Sequence, residues 1–165
     1  RVLIAYGPRL LTENDLETRE VVMFAANQAL NGLIGSGIRQ DWSSHMIGHA
    51  LTALYGIDHA RTLSAVMGSV FRHNLASKRA MIERCGRNVF GFNTETPDLA
   101  ERTIGEIEGF FRKMGLPVSV KEFDTPVDTG AVIAHLETAG QLPLGENGDI
   151  DAPAVRAILE LAGAK

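Results

Sequence analysis

A single cysteine, Cys85, stands among 165 residues, so no disulfide can form within the chain and a reducing compartment is the expectation. An excess of basic charge is missing too. Sixteen Lys plus Arg against 20 Asp plus Glu give a net charge of −4, which offers no general attraction to nucleic-acid phosphates or anionic lipid; neither partner is expected. No stretch approaches the roughly 18 to 20 uninterrupted apolar residues that cross a bilayer, and the opening RVLIAYGPRLL lacks the long apolar run of a signal peptide. A cytoplasmic protein is expected. Strand signals are scarce: apart from RVLIAY (1–6) and PVSVKEF (117–123), no alternating run is rich in β-branched residues. Repeats, low-complexity segments and long linkers are absent as well.

What remains is helical pattern, with 45% hydrophobic residues to fill a core. After Asn14 and Asp15 as candidate caps, Leu16, Met23, Ala26, Leu30 and Leu33 fall at helical spacing, and Gly35 with Gly37 closes the element. Ala25, Ala26 and Ala29 give it a small-residue face suited to close packing. The next helix opens at Asp41, whose carboxylate can accept from first-turn amides, and stops at Gly56. A third begins near Asp58, breaks around His73 to Ala76 and resumes from Lys78 to Val89. Ile104, Ile107, Phe111 and Met114 form another stripe, ended by Gly115 and Pro117. Two short helices follow, from about Asp128 to Ala139 and from Asp151 to Ala162, with Pro153 in the first turn. The reading is one all-α domain over 1–165 with six or seven helices.

Three of the five histidines crowd into a short segment: His45, His49 and His59. Residues four apart on a helix differ by about 40° in azimuth and 6 Å along the axis, so His45 and His49 share a face. Gly56 ends that helix, and a tight turn would bring His59 back beside it. Two helical histidines and a third across a turn suit a divalent metal such as Zn²⁺ or Fe²⁺. A bare HxxxH pair is also what a surface accident or two hydrogen-bonded core histidines look like. Lacking the Glu of HExxH, the segment does not read as a metalloprotease, and no Cys stands near to make a structural zinc finger.

The segment resembles the iron-containing alcohol dehydrogenases. Their signature has a ligand His, a second His four residues on, and another ligand His fourteen after the first, here His45, His49 and His59. QALNGLIGSG (28–37), QDW (40–42), GIDHARTLS (56–64) and LGENGDI (144–150) are similar to the subgroup of NADP-dependent aldehyde reductases and butanol dehydrogenases. Where most of the wider family has Pro-His-Gly at the last ligand, this chain has Asp58, His59 and Ala60, as that subgroup does. The resemblance implies a dehydroquinate synthase-like fold of two domains, an N-terminal α/β domain for NAD(P) and a helical C-terminal domain that carries most of the site. It further implies four ligands to iron or zinc, an Asp and a His from an upstream DxxxH helix plus the two later histidines. Of these the chain holds His45 and His59 as metal ligands, and His49 falls where a proton relay faces substrate.

No DxxxH upstream of this histidine segment and no GxGxxG after a strand is found, so no cofactor-binding residue is assigned. The chain, which opens at Arg1, is expected to be the C-terminal part of a longer enzyme and inactive alone. Its partners would be a small aldehyde or alcohol, its own N-terminal nucleotide-binding domain, and a second copy in a homodimer, as family enzymes commonly pair. The alternative is a free-standing helical binding or interaction module with structural histidines.

Other residues are weighed beside these. Asp58 suits either a second-shell bond to a histidine or a helix cap. Trp42, one turn before His45, reads chiefly as packing, His73 as exposed, and His135 as a helix-surface residue. Cys85 reads as a small buried filler, because no His or Asp partner stands in register. Lys78, Arg79, Arg84 and Arg87 read as a mostly solvated face.

Overall fold

The computed structural model describes residues 1–13 and 15–164. Asn14, the first of the two candidate caps, lies outside them. Eight α-helices occur among the described residues: α1 Val2–Tyr6, α2 Leu16–Leu30, α3 Ser43–Tyr55, α4 His59–His73, α5 Leu75–Cys85, α6 Leu99–Lys113, α7 Thr129–Thr138 and α8 Ala152–Leu161. No strand occurs among them. The two stretches with a strand-like pattern are helical instead. Residues 2–6 form α1, and a 3-10 turn occupies Val120–Glu122 inside PVSVKEF. Stretches of six and seven residues lack the partner strands that would stabilise them, so local turns take over.

Two compact units follow one another, Arg1–Gln40 and Asp41–Lys165. In the first, Asp15 caps α2, its carboxylate accepting from the Thr18 N–H at 2.9 Å. The expected small-residue face of α2 does not become a packed one: Ala26 and Ala29 are exposed, and Thr18 is the buried residue of the helix. Leu33 falls beyond the helix end, because Gly32 takes φ 83° and turns the chain before the stripe is complete.

In the second unit α4 is the centre, packed by α3, α5, α6 and α8. Ile47 and Leu51 of α3, Val66 and Val70 of α4, Val132 and Leu136 of α7, and Val155, Ile158 and Leu159 of α8 fill one core. Each such side chain contributes about 1.5 to 3 kcal/mol by leaving water. A satellite of Ile82, Ala100 and Ile104 lies under Phe71 and Leu75. Caps fall where the carboxylates predict: Asp128 accepts from the Gly130 and Ala131 N–H groups at 2.8 and 3.2 Å, and Asp151 from Ala154 at 3.0 Å. The Arg72 guanidinium holds Glu108 across α4 and α6 at 2.5 and 3.0 Å. No helix among the described residues is long and apolar enough to cross a membrane.

Candidate active site

The site grows out of the α3–turn–α4 unit. At its start the Asp41 carboxylate accepts from the Ser43 N–H at 2.8 Å and from the Ser43 hydroxyl, which closes the first turn of α3. Ile47 and Leu51, fully buried and four residues apart, fix the inner face of the helix. His45 and His49 each precede one of them by two residues, about 200° around the axis, and so project from the other side. At the far end Gly56 takes φ 67° and ψ 18°, the left-handed cap that a residue with a Cβ adopts only under strain. Three residues later His59 opens α4.

How closely the two helices approach is set by Gly48. A Cβ there would stand 2.9 Å from Thr62 Oγ1 and 3.1 Å from Leu63 Cδ2. Thr62 is buried and its hydroxyl donates to the His59 carbonyl at 2.8 Å, so the contact surface lies directly beside the histidine. The missing side chain permits the close crossing.

The three histidines come together. Ring centroids are 4.5 Å apart for His49 and His59, 5.6 Å for His45 and His59, and 6.3 Å for His45 and His49. His45 and His59 are partly buried, whereas His49 is exposed. Trp42, read as packing, is 49% exposed and sets its ring edge-on to His45 at 4.9 Å. It walls the histidine because the first turn of α3 points it there and away from the core.

The donor set can be tested against a metal. Two imidazoles bonded at about 2.1 Å to one tetrahedral ion have centroids about 5 Å apart, near the spacing of His45 and His59. The Nδ1 of His59 is buried without a hydrogen-bond partner among the described residues. A buried ring nitrogen is costly to leave unbonded, and a ligand explains it. Burial, then the neighbouring His59 and His49, lower the His45 pKa; burial, then His49, lower that of His59. Both rings therefore favour the neutral form that binds metal. Yet no three His, Cys, Asp or Glu side chains among the described residues are placed to hold an ion together. The pair fits part of a ligand set.

The remaining candidates lie elsewhere. Asp58 occupies the cap position of α4 but its exposed carboxylate makes no cap bond, and it does not reach the His59 Nδ1. His73 and His135 are half-buried. Cys85, read as a buried filler, is half-buried, and burial pushes its thiol pKa up. The solvated reading of the basic cluster holds for Arg79 and Arg84 and fails for Lys78. Lys78 is 19% exposed and its ammonium binds the Asp41 carboxylate and both Glu146 oxygens, the latter at 3.0 and 2.7 Å. The sequence signal was present in QDW and LGENGDI, the segments that supply Asp41 and Glu146, but nothing in their spacing shows that they meet.

Comparison with known proteins shows what the chain is similar to. The family model described as the Fe-containing alcohol dehydrogenase family, C-terminal, matches residues 2–163. The NADPH-dependent aldehyde reductase YqhD of Escherichia coli is 37% identical over 163 residues, 97% of this chain and 42% of that protein. A probable NADH-dependent butanol dehydrogenase of Bacillus subtilis is 31% identical over 130 residues, 75% of this chain and 33% of that protein. The crystal structure of Escherichia coli YqhD superposes with a TM-score of 0.93 over 98% of this chain and 42% of that one. NADH-dependent butanol dehydrogenase A of Thermotoga maritima, 30% identical, gives 0.91 over 99% and 44%. The chain thus spans about two-fifths of the length of these relatives. A helical unit matched from residue 2 to 163 and superposable on two solved relatives belongs to the Fe-containing alcohol dehydrogenase family, in its C-terminal part.

Proposed function

We propose that this chain, 1–165, is the helical part of a longer two-domain, nicotinamide-dependent enzyme that interconverts aldehydes and primary alcohols. The observation that carries the reading is the convergence of His45 and His59, with the buried Nδ1 of His59 unbonded, in a family described as Fe-containing. A structural histidine buried in a core would be bonded, so the free-standing module has no support from this atom. His45 and His59 hold a divalent metal, iron or zinc, together with an Asp and a His supplied by the rest of the enzyme. When bound, the metal contributes a Lewis acid for the carbonyl oxygen and NAD(P), carried by the other domain, contributes the hydride.

This chain's own residues do the rest. Trp42 excludes water from one side of His45, and the α3–α4 crossing at Gly48 fixes the ring spacing. His49, exposed beside His59, holds a proton on a ring nitrogen and exchanges it with the alcohol oxygen. A cytoplasmic setting and pairing into a homodimer belong to the same reading.

The experiment is elemental analysis and NADPH oxidation on butanal for His45→Ala, His59→Ala and His49→Ala in the longer enzyme. The first two should lose metal and activity together, since the other three ligands do not complete a tetrahedral set. His49→Ala should keep its metal while turnover falls by about a hundredfold, at the low end for positioned acid-base groups. A His49→Ala enzyme that loses metal while His45→Ala retains it reverses the assignment.

A further inference from the structure

Beside the histidine helix α3, Lys78 binds two carboxylates. It comes from α5, a different part of the chain from either partner. Its ammonium binds Asp41, immediately before α3, and Glu146, in the loop closed by the Leu144–Ile150 bridge. Asp41 in turn accepts from the amide and hydroxyl of Ser43, a residue with no exposed surface. Asp41 and Ser43 flank Trp42, whose ring edge lies on His45. The chain of contacts therefore runs from α5 and the 144–150 loop into the turn that aims the first histidine. The polar partners of Lys78 are Asp41 and Glu146, not the imidazoles.

We infer that Lys78 is a positioning residue: by clamping Asp41 against Glu146 it fixes the first turn of α3, and with it the orientation of Trp42 and His45. The inference rests on the metal-site reading above and adds a residue to it. A lysine with this role is distinguishable from one that merely stabilises the fold. If Lys78 only ties elements together, its loss lowers the melting temperature and leaves the site of the surviving folded molecules unchanged. If it aims His45, metal affinity falls in molecules that remain folded. The size expected is that of groups that orient ligands from outside the coordination shell, about ten- to a hundredfold in affinity.

The test is calorimetric titration of the metal-stripped longer enzyme with Zn²⁺ alone, well below the melting temperature of each variant, for wild type, Lys78→Met, Lys78→Arg, Glu146→Gln and His45→Ala. Lys78→Met should weaken Zn²⁺ binding about tenfold or more, and Lys78→Arg should recover most of it, because a guanidinium can still bridge two carboxylates. The Trp42 indole N–H resonance should shift in Lys78→Met and return in Lys78→Arg. Glu146→Gln, which leaves the Asp41 contact in place, should move affinity in the same direction by a smaller factor; it carries the test if Lys78→Met does not fold. Wild-type affinity in folded Lys78→Met, or in Glu146→Gln should that be the variant that folds, overturns the positioning role. The metal-site reading fails separately, through a wild-type longer enzyme that takes up no Zn²⁺ or a His45→Ala enzyme that binds as wild type does.

Discussion

Asp41 and Lys78 respond to pH in opposite directions. Burial works against the Asp41 carboxylate, but hydrogen bonds from Lys78 and Ser43 outweigh it and hold its pKa below the usual value. Burial likewise opposes the Lys78 charge, and the bonds to Asp41 and Glu146 outweigh it and raise the pKa. A lowered carboxylate stabilises the fold above its unfolded pKa, about 3.9, and that contribution is lost as pH falls through the folded value. A raised ammonium stabilises below about 10.4 and its contribution is lost as pH rises through the folded value. The stability gap between wild type and Asp41→Asn should thus be level across the neutral range and close at both extremes. Urea midpoints at acid, neutral and alkaline pH read it; a gap that persists unchanged in acid denies the pairing. None of this was legible in the sequence, where Lys78 stands beside Arg79 and looks solvated. Residues 41, 78 and 146 become neighbours only through tertiary packing. The histidines were legible because HxxxH and the Gly56 turn are local, and local geometry survives folding.

At the scale of elements, caps and stops were readable: Asp15, Asp128, Asp151 and Gly56 each act where the side-chain chemistry predicts. The faces were less so. Periodicity in α2 predicts a helix without saying what covers it, and Leu16, Met23, Phe24 and Leu30 are exposed. The crossing of α3 and α4 was hidden as well, since Gly48 in a helical pattern reads as a weak point worth about 1 kcal/mol against Ala. Its contact with Thr62 and Leu63 inverts that expectation. Gly48→Ala gains helix propensity of that size, but overpacking two buried helices costs about 1 to 3 kcal/mol. The net effect should be a loss of stability of up to about 2 kcal/mol by urea denaturation. Forcing the helices apart should also weaken Zn²⁺ binding by His45 and His59, read by calorimetry. A more stable Gly48→Ala chain with unchanged affinity would show that the crossing does not set the ring spacing.

For the whole molecule, helical content and half a ligand set should separate folding from catalysis. The buried core of Asp41–Lys165 joins four helices, α3, α4, α7 and α8, through side chains that are fully or nearly fully excluded from water. That core needs no cofactor. By contrast, the described residues contain no strand followed by a glycine-rich phosphate loop, the feature that seats a nicotinamide dinucleotide. The chain alone should therefore show a helical far-UV circular dichroism spectrum and a cooperative melt, yet no oxidation of NADPH on butanal, with or without added Zn²⁺ or Fe²⁺. Its metal affinity should be weak, because two imidazoles leave an ion half-solvated and the binding energy of structural sites comes from a full set. Calorimetry and the turnover assay, run on one preparation, decide both parts. Metal-dependent turnover would mean that this chain seats the hydride donor itself, and one-to-one Zn²⁺ binding at nanomolar level would require ligands beyond His45 and His59 within the same 165 residues.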